Sequence, residues 1–175
     1  MDEQHASNRG RQPSVGELEF APLTQAHAQA ICNWRYPPPY DIFNRTSWQQ
    51  LEAAEVDLGD SVTRSAQYLS IIDRSGQLCG FVQLFPLVGT MRLGIGLRPD
   101  LCGQGMGAEL MQRLIQEARR RAPGQHIDLE VPQWNARAIK TYQRAGFVIS
   151  DSYPLKIGSQ WQHVYCMVLE DAKTD

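Results

Sequence analysis

Residues 93–110, LGIGLRPDLCGQGMGAEL, constrain the fold more than any other stretch of this 175-residue chain. An apolar, strand-like run ends at Leu97 and Arg98-Pro99-Asp100 breaks it. Gly103, Gly105 and Gly107 then lead into a segment whose Met106, Leu110, Met111, Leu114, Ile115 and Ala118 share one helical face. Glycines let a backbone approach a ligand closely and take positive φ. The first turn of a helix carries unpaired N–H groups and the positive end of the dipole, so this entry suits a phosphate or pyrophosphate. Gly103-x-Gly105-x-x-Ala108 also meets the letter of the dinucleotide fingerprint, with Asp128 or Glu130 on the next strand. Against that, Pro-Asp-Leu-Cys separates the strand from the first glycine, and too little chain follows for a doubly wound domain. No Lys-Ser/Thr follows the glycines, which excludes a P-loop.

Periodicity around this loop predicts a mixed α/β domain. A short strand at 18–22 precedes a helix capped by Thr24 and running to about Trp34. The three prolines of WRYPPPYDIFN end that helix. Ser47 and Gln50 form a capping box for a helix carrying Leu51, Ala53, Ala54 and Leu58. Strands follow at 68–72, 78–85 and 91–97, the first two joined by a turn at Gly76. The glycine loop opens a helix over 105–121, whose terminal Arg119-Arg120-Arg121 complements the helix dipole. A strand at 127–131, a helix over 135–145 ended by Gly146, and strands at 147–153 and 161–169 complete the order. The front half is antiparallel and the back half βαβ-like. Residues 1–16 read as a flexible tail, 17–170 as one domain and 171–175 as a frayed end.

Hydrophobic residues at 42%, charged residues at 21% and a net charge of −2 describe an ordinary globular chain without a global basic field, so no nucleic-acid partner is expected. No apolar run reaches membrane-spanning or signal-peptide length, so no membrane association is expected. Cys32, Cys79, Cys102 and Cys166 are widely spaced without a CxxC pair. That spacing predicts no metal site, and reduced thiols place the chain in the cytoplasm.

Residues 129–147, LEVPQWNARAIKTYQRAGF, carry a second pattern: Asn135, Ala138, Tyr142, Gly146 and Phe147 fit N-x-x-A-x-x-x-Y-x-x-x-G-F. With the glycine loop ahead of it, this pattern resembles the GNAT N-acetyltransferase superfamily. The resemblance implies a central, mostly antiparallel twisted sheet of about six or seven strands flanked by about four helices. It implies acetyl-CoA as co-substrate and acetyl transfer from the thioester to a primary amine of a small molecule or a peptide N-terminus. The loop pattern departs in one place: Cys102 stands where Arg or Gln is usual. Gln104 is a candidate to compensate, and backbone amides carry most of such a site.

The resemblance further implies that Ile95, Gly96 and Leu97 pair their backbone with the pantetheine arm, and that Gly103, Gln104, Gly105, Met106, Gly107 and Ala108 hold the pyrophosphate. Asn135 is implied to hydrogen-bond the cofactor arm, and Tyr142 to sit near its sulfur as general acid. Glu130 resembles the base of Nα-acetyltransferases, and strand alternation sets it with Asp128 on one face, leaving a salt-bridged glutamate as the other reading. A backbone N–H near Leu97 is implied as oxyanion donor. An α-amino group near pKa 8 is partly neutral at pH 7, whereas a lysine amine near 10.4 is neutral in only about 0.04% of molecules, so low-pKa amines are the easier acceptors.

Trp34, Tyr36 and Tyr40, with Phe43, line a stiff loop in the region that shapes the acceptor pocket in this superfamily; filling core space is their alternative role. Glu52, Glu55, Asp57 and Asp60 either attract a cationic amine or form a solvated face. His27 and His163 have no evident partners. Trp161, Tyr165 and Met167 suit either a homodimer contact or the core of a monomer. A non-catalytic acyl-CoA-binding module on the same fold is the alternative to an enzyme.

Overall fold

The computed structural model describes residues 13–170. Seven strands form one sheet: β1 (Glu19–Pro22), β2 (Tyr68–Ile72), β3 (Leu78–Leu87), β4 (Thr90–Leu97), β5 (His126–Pro132), β6 (Phe147–Ile157) and β7 (Gln160–Leu169). Their order is β1-β2-β3-β4-β5-β7-β6. Only β4 and β5 pair in parallel, as their connection through a helix requires. Five helices pack around the sheet: α1 (Gln25–Cys32), α2 (Trp48–Ala54), α3 (Ser61–Gln67), α4 (Gly107–Arg121) and α5 (Ala136–Arg144).

Strand alternation sorts the core into two layers. Val82 and Leu84 of β3, Met91 and Leu93 of β4, and Ile127, Leu129 and Val131 of β5 pack under Leu110, Met111, Leu114, Ile115 and Ala118 of α4. Ala138, Ile139 and Tyr142 of α5 join that layer. On the other face Leu23, Ala28, Ile31, Cys32, Trp48, Leu58 and Tyr68 form a smaller core closed by Trp34 and Phe81.

The structure departs from the sequence reading at defined places. The helix after Ser47 stops at Ala54 because Glu55 turns left-handed at φ 49. Leu58 reaches the core from a 3-10 turn, and α3 starts afresh, its first amides capped by Asp60. That helix buries no residue, so its sequence shows no apolar stripe. Helix α4 begins at Gly107, because Gly103 and Gly105 hold positive φ ahead of it. Residues 1–12 of the expected tail lie outside the described residues, as do 171–175. Val15–Glu17 forms a capped 3-10 turn with Val15 against the core, so packed structure begins before residue 17.

The edges of the sheet are β1 and, at the other end, β6. The two-residue turn from β6 to β7 closes on the Ile157–Gln160 pair, so Ser152, Pro154 and Lys156 direct their main-chain groups outward. The Ser152 N–H is capped by Asp151 Oδ1 at 2.7 Å, and Pro154 has none. This edge is therefore poorly suited to pairing with another strand. Of the residues offered for a dimer contact, Met167 is fully buried and Tyr165 packs on the core; Trp161 alone is exposed.

Candidate active site

The sheet opens where its two halves meet. β4 and β5 pair at Thr90–His126, Met91–Ile127 and Arg92–Asp128 and then part, although β4 runs on to Leu97 and β5 to Pro132. The β3–β4 hairpin closes on the Leu87–Thr90 pair across a two-residue turn. Hydrogen bonding alternates from there, so Arg92, Gly94 and Gly96 point their peptide groups at β3 while Leu93, Ile95 and Leu97 point theirs into the gap. The ladder thus assigns the Gly96 backbone to Phe81, correcting its expected pairing with a ligand. Gly96 serves close approach instead: a Cβ there would stand 2.4 Å from the Phe81 ring. The Leu97 carbonyl accepts the Tyr36 hydroxyl at 2.7 Å, leaving its N–H as the open group.

The glycine loop lies at the mouth of this gap. Gly103 at φ +77 and Gly105 at φ +81 are conformations that side chains resist. The first turn of α4 has no side-chain cap, so its amides face outward. Met106 is buried in the core, and only its main chain is available at the loop. Gln104 turns back to donate to the Asp100 carbonyl at 2.7 Å, so it closes the loop rather than compensating for Cys102. Burial pushes the Cys102 thiol up, against a smaller pull downward from Arg137.

Helix α5 packs beside the loop, with Thr141 where a Cβ on Gly107 would come within 3.0 Å. Asn135 is its N-cap: Oδ1 accepts the Ala138 N–H at 3.2 Å and the residue is 8% exposed. That oxygen therefore starts the helix rather than reaching for a ligand. Tyr142 sits over Phe147, ring centroids 6.3 Å apart and edge to face. Burial pushes its phenol up to about 12.

Across the gap, on the opposite face, Glu130 belongs to a network. Arg92 forks onto Asp128 at 2.9 and 2.7 Å and reaches Glu130 Oε1 at 2.6 Å. The Tyr153 hydroxyl donates to the same Oε1 at 2.6 Å. Glu130 is thus salt-bridged through Oε1, and its Oε2 has no partner among the described residues. The cluster ties β4, β5 and β6 together at the closed end of the gap. Two carboxylates at alternate positions of one strand call for a cation on the neighbouring strand, a signal for Arg92 that the sequence reading did not use.

The acceptor loop divides its residues. Trp34 packs on Phe81 at 6.2 Å and belongs to the smaller core rather than a pocket. Tyr40 stands edge-on to Trp134 at 5.5 Å, with Phe43 at 6.4 Å from the same ring. Beside them Pro39, Asp41, Ile42, Trp134, Gln160 and Gln162 line an open cavity of about 500 Å³. Trp134, unassigned from sequence, is held by Gln162 at 2.9 Å. Of the expected acidic face, Asp57 turns inward to Arg45 and the Tyr68 hydroxyl, while Glu52, Glu55 and Asp60 line a separate shallow pocket. His27 has a partner after all, Ser70 Oγ at 2.7 Å. Among the described residues no His, Cys, Asp and Glu side chains converge as a metal site, and no helix is long and apolar enough to cross a membrane.

The model of the Acetyltransferase (GNAT) family matches residues 28–147. L-methionine sulfoximine/L-methionine sulfone acetyltransferases of Pseudomonas paraeruginosa and Pseudomonas aeruginosa are 28% and 29% identical, over 66% of this chain. The match spans 65% of each relative's own length. Among solved structures, spermidine N-acetyltransferase from Vibrio cholerae in complex with CoA and spermine superposes with a TM-score of 0.73 at 20% identity, over 88% of this chain and 95% of that one. That likeness establishes a shared fold.

Proposed function

This chain belongs to the GNAT family of acetyltransferases, and from that premise we propose that it acetylates the primary amine of a small molecule at the expense of acetyl-CoA. The observation that carries the reading is the β4–β5 gap, with the glycine loop and Tyr142 on one face of the sheet and the Arg92–Glu130 network on the other. Such a gap lets two substrates meet through the sheet.

When bound, acetyl-CoA supplies an activated thioester carbonyl and a thiolate leaving group. The chain fits it on structural grounds: positive-φ glycines, an uncapped helix start and a strand edge with unpaired peptide groups. In this reading the backbone from Gly103 to Ala108 holds the pyrophosphate. Ile95 pairs with the pantetheine arm as an added strand would. The open Leu97 N–H polarises a carbonyl placed in the gap. Tyr142, a phenol that is neutral at pH 7 and that burial raises further, holds the proton needed by a departing thiolate. Glu130 Oε2 takes a proton from the amine, directly or through a water.

The cavity of about 500 Å³ suits a small acceptor, with Asp41 as its carboxylate and the Trp134 ring in its wall. Relatives named for methionine sulfoximine and a fold neighbour named for spermidine support an amine of that size. Four free cysteines support a reducing compartment, the cytoplasm. The blunted β6 edge argues against self-pairing through that strand. The test is acetyl-CoA with a panel of L-methionine sulfone, L-methionine sulfoximine, spermidine and a short peptide, following thiol release and acetylated product by mass spectrometry. Acetylation of a small amine over the peptide is expected; preference for the peptide would overturn the substrate class.

A further inference from the structure

We infer that Arg137 is the charge-bearing residue of the cofactor site, taking the diphosphate of CoA that the glycine loop can meet only with amides. The inference rests on the acyl-CoA reading above. From Pro99 to Ala108 the loop contains no lysine or arginine. Arg98, just ahead of it, is spent: it forks onto Asp100 at 2.6 and 3.0 Å and donates to the Leu78 carbonyl at 2.9 Å. The Gln104 amide is turned back onto Asp100. A diphosphate seated on this loop would find no cation in the loop itself.

Arg137 comes to the same place from the first turn of α5. Its Nη1 lies 3.1 Å from the point where a Cβ on Gly103 would stand, so the absence of a side chain at Gly103 admits it. The Cys102 thiol responds to its charge. Unlike Arg92 and Arg98, it meets no carboxylate; among the described residues its guanidinium partner is the Tyr40 ring, 4.8 Å from the centroid. A cation–π contact with a ring restrains the guanidinium while leaving its N–H donors free. A held, exposed and unpaired fork beside a phosphate-shaped loop is prepared for bidentate anion binding at little further entropy cost. Because Tyr40 also touches Trp134, the same residue joins the cofactor loop to the acceptor wall.

The test compares CoA with S-acetylpantetheine, which lacks the phosphates, by titration calorimetry on the full chain. Arg137→Ala is expected to weaken CoA about ten- to hundredfold, the loss of charge-assisted hydrogen bonds, with S-acetylpantetheine affinity unchanged. Arg137→Lys is expected to recover part of the affinity, since it keeps the charge and loses the fork. Adding Cys102→Arg to Arg137→Ala is expected to restore most of it by returning a cation to the loop. Unchanged CoA affinity in Arg137→Ala, or equal losses for CoA and S-acetylpantetheine, would overturn the inference and leave the acyl-CoA reading standing. Failure of the unaltered chain to bind CoA would overturn both.

Discussion

Replacing Gly105 by alanine probes the glycine loop with the least disturbance elsewhere. An added Cβ meets nothing within 4 Å, so there is no clash to absorb. The penalty is conformational: φ is +81, and a left-handed alanine costs about 1–2 kcal/mol. In the free protein the loop either keeps its shape, and the penalty appears as lost folding stability, or relaxes, and it appears as lost affinity for CoA. The two losses together should equal about 1–2 kcal/mol; taken wholly in binding, that is about five- to thirtyfold in Kd. Alanine also restricts the unfolded chain, an offset of about 0.4–1 kcal/mol in stability. Gly76 is the matched control, with φ +80 and nothing within 4 Å, in the β2–β3 turn held by Asp73. Strain and offset are the same there, but the loss should fall on stability alone. Calorimetric titration with CoA and urea unfolding of both variants separate the two. The reasoning is refuted if Gly76→Ala weakens CoA as much as Gly105→Ala does, or if Gly105→Ala changes neither quantity.

Tyr142→Phe keeps the ring on Phe147 and removes only the hydroxyl, so kcat should fall about 100-fold or more while KM for acetyl-CoA holds. The Tyr142 phenol is raised in the folded state, so its contribution to stability is present below pH 10 and is lost as pH rises towards about 12; a pH–rate profile should show no alkaline limb from this group below pH 10. Arg92→Met leaves Asp128, 7% exposed, and Glu130 without their cation, and urea unfolding should show a loss of about 3 kcal/mol; a loss under about 1 kcal/mol would mean that the network does not hold the closed end of the gap. Pro154→Thr restores an outward N–H on the β6 edge, and sedimentation velocity should show more self-association than in the unaltered chain.

The parts legible in the sequence are those with local causes. Alternation or a short apolar run marked each strand, Gly103 and Gly105 marked a loop able to take positive φ, and Gly146 marked the stop of the helix from Asn135. Helix α3 stayed hidden because it buries nothing and so leaves no periodic trace. Site residues were harder where their roles depend on partners far along the chain. Trp34 reads as a pocket wall until Phe81 is seen against it. Glu130 leaves base and salt bridge open until Arg92 and Tyr153 arrive from other strands and take its Oε1. Arg137 has no signal in its own segment at all; it matters only because α5 docks it on Gly103 and Tyr40. The Cys102 departure was visible; the position of Arg137 beside Gly103 was not.

The central claim is that the β4–β5 gap and its glycine loop receive an acyl-CoA rather than a dinucleotide. Parallel calorimetric titrations of the unaltered chain with acetyl-CoA and with NAD test it most directly. The account predicts one acetyl-CoA bound per chain, displaced by CoA, and no heat from NAD. Binding of NAD, or no binding of acetyl-CoA, would contradict it.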